Sequence, residues 1–104
     1  MNKEEGWVLI TVKVHTILTI KKILGKGEVE LSVSEGSTLG ELLTAMANRW
    51  GDELAASIFE AKSGNVFPHI RLMVNGQDIA FLDGIKTVLQ NGDEVLILPP
   101  VSGG

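Results

Sequence analysis

One segment constrains this chain more than any other. From Thr38 to Gly51 the residues read TLGELLTAMANRWG, and Leu39, Leu42, Leu43, Met46, Ala47 and Trp50 recur at steps of three and four. That spacing puts them on one face of an α-helix, and a helix with a single apolar stripe must bury it against another layer. Both ends carry signals. Thr38 and Glu41 stand in capping-box relation, and Gly51 suits the left-handed position that closes a helix.

The flanking segments supply the other layer. Val8, Ile10, Val12 and Val14 alternate with Leu9, Thr11, Lys13 and His15, the period of a strand with one strongly apolar face. Thr19 to Glu28, TIKKILGKGE, reads as a connection or long hairpin loop. A second strand follows, with Val29, Leu31 and Val33 inward and Glu28, Glu30 and Ser32 outward. Beyond the helix, a shorter helical stretch from Glu53 to Glu60 offers Leu54, Ile58 and Phe59 to the core, and Ala61 to Pro68 is a loop. A third strand, His69 to Val74, turns inward at Ile70, Leu72 and Val74 and meets Asn75-Gly76, a strong hairpin signal. Ile79 to Leu82 is expected as a short fourth strand. Asp83 to Gln90 is expected as a turn or 3₁₀ piece inserting Ile85, Val88 and Leu89, and Glu94 to Leu98 as the last strand, ended by Pro99. Hairpin, helix and further strands make an α+β domain, a mixed sheet of four to five strands with one main helix packed across it. That is the layout of a β-grasp, ubiquitin-like domain. Residues 1–6 are expected as a flexible leader, 7–98 as the domain and 99–104 as an extended tail.

Composition narrows the function. At 104 residues and 44% hydrophobic content the chain suffices for one core. Thirteen acidic residues against nine basic ones give a net charge of −4, which disfavours nucleic acid and anionic membranes and favours a basic protein partner. The absence of cysteine excludes a disulfide framework, an iron–sulfur cluster, a thiolate zinc site and a thiol nucleophile. Glu4, Glu5 and Lys13 break the pattern of a secretory signal, and no stretch reaches membrane-spanning length, so a cytoplasmic location is expected. His15 and His69 have no companion ligands nearby in sequence. Lys21, Lys22 and Lys26 read as a solvated basic loop, Trp50 as core, and Asp78, Asp83, Asp93 and Glu94 as turn residues.

The segment LPPVSGG, Leu98 to Gly104, asks for a different explanation. Pro99 and Pro100 cannot donate to a sheet ladder, while Gly103 and Gly104 bury nothing and cost the most entropy to order. Such a segment adds little to stability, so it is either disposable or the working part. Together with VNGQDI (Val74 to Ile79), LDG (Leu82 to Gly84), Thr87, Leu89 and NGDEVLILPPVSGG (Asn91 to Gly104), it resembles the MoaD/ThiS family of ubiquitin-like sulfur carriers. The likeness is close over the final third; the first two thirds match in element order.

The resemblance implies a carrier rather than an enzyme. A ubiquitin-activating-type adenylating enzyme would use ATP to adenylate the Gly104 carboxylate, with no cofactor held stably by the carrier itself. Sulfur would then replace AMP, leaving a thiocarboxylate for delivery to an acceptor, foremost the molybdopterin synthase large subunit. Thiamine, cysteine or tungsten-pterin routes, protein modification, and an inert interaction module are the alternatives. Gly103, Val101, Pro100, Pro99 and Leu98 would contact partners, with Leu96 a weaker candidate. One departure stands out: HTILTIKKILGKG (His15 to Gly27) replaces the Arg-containing helical segment of small molybdopterin synthase subunits. Another is the length of Trp50 to Arg71, which exceeds that of compact members.

Overall fold

The computed structural model describes residues 8–100. Strand β1 (Leu9–Thr16) leads through helix α1 (Leu18–Leu24) to β2 (Glu28–Ser34). Helices α2 (Leu39–Trp50) and α3 (Asp52–Ile58) follow, then β3 (Arg71–Val74), β4 (Gln77–Asp78), two 3₁₀ turns at Ile79–Phe81 and Gly84–Lys86, and β5 (Glu94–Leu98). The strands form one mixed sheet in the order β2-β1-β5-β3-β4. β5 runs parallel to β1 and antiparallel to β3, while β2 and β4 pair antiparallel to β1 and β3. The expected α+β, β-grasp architecture is present.

Alternation along the strands decides which face meets the helices. Ile10, Val12 and Val14 of β1, Val29 of β2, Leu72 and Val74 of β3, and Val95 and Ile97 of β5 all lie in the core. α2 sets Leu39, Leu42, Leu43 and Met46 against them without residual exposure, and α3 adds Leu54 and Ile58. Ala47 and Trp50 end the α2 stripe half-buried, with the Arg49 guanidinium 4.5 Å from the Trp50 ring. The capping box closes as its spacing requires. Thr38 Oγ1 accepts from the Glu41 amide at 3.2 Å, and Glu41 Oε1 accepts from the Thr38 amide at 2.8 Å.

Four local expectations change. The Thr19–Glu28 connection contains helix α1, ended by Gly25 in the left-handed region at φ 87° with its amide bonded to the Lys21 carbonyl. Seven residues with no N-cap side chain would not hold a helix alone. α1 exists because Ile20 and Leu24 are buried in the core. The fourth strand is Gln77–Asp78 rather than Ile79–Leu82. Asn75 and Gly76 both take positive φ, as a tight hairpin demands, but Asp78 then accepts from the Ala80 amide at 2.9 Å and bends the chain into a 3₁₀ turn. Of the three apolar residues expected from Asp83 to Gln90, only Leu89 is buried; Ile85 and Val88 remain about half exposed. Val8 is exposed too, just ahead of the first paired residue.

Thr38→Ala removes one half of the capping box. It is expected to lower the unfolding free energy by about 1 kcal/mol in a urea titration without altering the m-value.

Candidate functional site

The expected working segment departs from the middle of the sheet. Val95 and Ile97 of β5 are fully buried, and the carbonyl of Ile97 accepts a 2.7 Å hydrogen bond from Oγ1 of Thr16, a buried side chain on β1. Pro99 is buried as well; Pro100 is exposed. Among the described residues burial thus continues through Pro99, which belongs to the anchored root, and falls off at Pro100. Val101, Gly103 and Gly104 lie outside the described residues, as does the leader.

Leu96 and Leu98 occupy the sheet face opposite the helices, both half-buried. The register surrounds them. Met73 of β3 stands opposite Leu96 and Arg71 opposite Leu98, while His15 of β1 is beside Leu96 on the other side. The result is a small apolar strip of Leu96, Leu98 and Met73 beside the tail root, bordered by polar side chains. Arg71 Nε donates to Asp78 Oδ2 at 3.3 Å while most of its side chain stays exposed. His15 joins three strands on this face: its Nε2 is hydrogen-bonded to Glu94 Oε1 at 2.8 Å, and its Nδ1 lies 3.6 Å from Glu28 Oε1. Lys13 is 3.7 Å from the other Glu28 oxygen.

Leu98 and Leu96 are thus half-buried on the face opposite the helices, and neither enters the core. Arg71 and Met73 were not singled out by sequence reasoning. The alternation of β3 already puts them outward; what was not legible is that β3 pairs with β5 in a register that sets them beside Leu98 and Leu96. The carboxylates divide. Asp78 and Asp93 serve turns, Asp93 accepting from the Gln90 amide and the Asn75 side chain at 2.8 and 2.9 Å. Glu94 instead stands on β5 and holds His15. Among the described residues no group of three or more His, Asp or Glu side chains can hold a metal ion, and no helix is long and apolar enough to cross a membrane.

A family model described as the ThiS family matches residues 18–104. The chain belongs to the ThiS family. Small archaeal modifier protein 3 of Haloferax volcanii is 34% identical to this ThiS-family chain over 86 residues, which cover 83% of the chain and 90% of that protein. The sulfur carrier protein CysO of Mycobacterium tuberculosis is 30% identical over 95 residues, covering 91% and 98%. The solution structure of small archaeal modifier protein 1 from Methanosarcina acetivorans superposes with a TM-score of 0.79 at 30% identity, covering 93% and 99%. The ThiS-family chain is thus similar both to sulfur carriers and to ubiquitin-like modifiers.

The buried hydroxyl bond from Thr16 ties the root of the tail to β1. Thr16→Val keeps the volume and removes the donor, and is expected to cost about 1 kcal/mol in urea unfolding. A Thr16→Ser variant, which keeps the hydroxyl, separates that loss from packing.

Proposed function

We propose that this chain is a sulfur carrier whose reacting group is the carboxylate of Gly104. The observation that carries the reading is the placement of PPVSGG. It follows the central strand of the sheet, in which Val95 and Ile97 are fully buried, and begins with buried Pro99 and exposed Pro100. From Pro100 four further residues extend at most about 14 Å, enough to enter a narrow active site while the globular body stays outside. Gly103 and Gly104 have no Cβ, so a nucleotide and an attacking sulfur can approach the backbone closely. A central strand holds the root still, which lowers the ordering cost when the tail docks.

The chemistry is divided between proteins. A partner adenylating enzyme joins the Gly104 carboxylate to the α-phosphate of ATP and releases pyrophosphate. Adenylation turns a poor oxide leaving group into a good one; a sulfide-level nucleophile from the donor then forms the C–S bond at the carbonyl carbon while the C–O bond to AMP breaks and AMP leaves with the bonding pair. The activator supplies the electrostatic stabilisation of that step. The ThiS-family chain contributes the reacting carbonyl and the strip of Leu96, Leu98 and Met73 on which partners rest. The molybdopterin synthase large subunit is the acceptor that the sequence resemblance implied, with cysteine- and thiamine-forming enzymes as the competing acceptors.

Incubation with ATP, a cognate activator and a sulfur donor is expected to raise the intact mass by the oxygen-to-sulfur difference, located at Gly104 by fragmentation. Deleting Gly104 is expected to abolish adenylation while leaving the unfolding transition unchanged. Exchange that persists in the deletion variant, or no exchange with any cognate activator, overturns the proposal. Reconstitution with each acceptor enzyme in turn then identifies the product. Leu98→Glu places a charge on the docking strip outside the core; it is expected to slow adenylation about tenfold or more while changing stability by less than about 1 kcal/mol.

The 34% identity to a protein named as a modifier favours one second reading, in which the activated Gly104 is joined to lysines of other proteins. Recovery of Gly104 in isopeptide linkage from cells supports it.

A further inference from the structure

Strand β2 stands at the edge of the sheet, with β1 on one side and no strand on the other among the described residues. Seven residues make a long open edge, of the kind natural sheets shorten, bulge or cover. Two hydrogen bonds across the β1–β2 pair reveal which backbone groups are free. The Glu35 amide donates to the Val8 carbonyl at 2.7 Å, and the Thr16 amide donates to the Gly27 carbonyl at 2.9 Å. Bonded and non-bonded pairs alternate along an antiparallel ladder. In the register from Leu9 opposite Ser34 to His15 opposite Glu28, the residues of β2 bonded to β1 are therefore Val29, Leu31 and Val33. The N–H groups of Glu28, Glu30, Ser32 and Ser34 point the other way, along the open edge, with the C=O groups of Glu28, Glu30 and Ser32; the Ser34 carbonyl is taken by the Ser37 amide at 3.0 Å.

The side chains give this edge a chemistry. Those of Glu28, Glu30, Ser32 and Ser34 lie on the face opposite the helices, and Glu35 follows directly. β2 carries no lysine or arginine. Glu28 is shared with Lys13 and His15; Glu30 is exposed and forms no ion pair among the described residues. On the helix side Leu31 and Val33 remain only half-buried, an apolar margin that the core leaves open.

We propose that the β2 edge accepts an extended basic segment of another protein as a sixth strand. Antiparallel docking places lysines or arginines two residues apart opposite Glu28 and Glu30. The residues that alternate with them are aliphatic, fall opposite Val29, Leu31 and Val33, and extend the apolar margin left open at Leu31 and Val33. A second copy of this chain fits less well. Self-pairing about Leu31 sets two Glu30 side chains on a diagonal about 7–8 Å apart, between molecules that each carry a net charge of −4. The edge is separated from the tail root by β1 and does not depend on the fate of Gly104.

The test is a titration of the ¹⁵N-labelled full chain with a capped peptide SVTLKVKG and with its counterpart SVTLEVEG. The lysine peptide is expected to slow amide exchange at Glu28, Glu30, Ser32 and Ser34 and to bind about tenfold more tightly at low salt. The double variant Glu28→Lys with Glu30→Lys is expected to reverse that preference. Ser32→Pro removes an outward amide without touching the β1 ladder, as an edge strand tolerates, and is expected to weaken the lysine peptide about tenfold. If that variant does not fold, the charge-reversed pair still decides. Equal binding of both peptides, no protection at the four amides, or protection of them already in the free protein would overturn the proposal; the last would show an edge filled by the leader or by a second copy.

Discussion

The insertion of β5 between β1 and β3 organises this molecule. Val95 and Ile97 have no exposure, and β5 is hydrogen-bonded on both sides, parallel to β1 and antiparallel to β3. Parallel neighbours cannot be joined by a tight turn, so everything between them in sequence must be routed around the sheet. α1 and β2 go to one side, α2 and α3 cross the face, and β3 and β4 complete the other side. A strand placed late in the chain thus ends up in the most protected position of the sheet. The residue that follows it, Pro99, inherits that protection; Pro100 does not.

This arrangement separates two jobs by face. On the helix side, apolar residues of all three helices and four strands form one continuous cluster, and no buried side-chain nitrogen or oxygen lacks a partner among the described residues. Among the described residues the other face has no covering layer, which is common for sheets containing antiparallel pairs. Its centre carries Leu96, Leu98 and Met73, and its margin carries Lys13, His15, Glu28 and Glu94 in a linked polar group. Exposed ion pairs of this kind contribute little to stability. Their effect is to set the polar border of an apolar strip beside the tail root. The residues that hold the fold together are thus on one face, and the half-buried apolar strip is on the other.

Particular elements show how far the sequence could be read. The α2 helix and its capping box were legible because every signal is local: side chains three or four residues apart answer one another across a single turn. β1, β2 and β5 were legible for the same reason, through their period of two. α1 was not. Its glycine-rich end and β-branched residues suggest a connection, and only the burial of Ile20 and Leu24 makes seven residues helical. β4 was displaced by a side chain, Asp78, whose bond to the Ala80 amide competes with the ladder. Ile85 and Val88 were expected inside on hydrophobicity alone, a property that does not say which residues of the 3₁₀ turn Gly84–Lys86 and of the segment after it face outward.

The same division holds for the site. Local patterning in the sequence by itself determined the helix, the strands that receive it, the α+β class and the PPVSGG segment as the candidate working part, because each rests on short-range geometry or on composition. The tertiary structure alone decided that β5 is central, that Pro99 is buried and Pro100 exposed, that Met73 and Arg71 stand opposite Leu96 and Leu98, and that β2 has an open edge among the described residues. Those outcomes depend on which strands pair and in what register. Pairing is chosen by the burial of side chains far apart in sequence, such as Val14 with Val95 and Leu72 with Ile97, and no local window contains both partners.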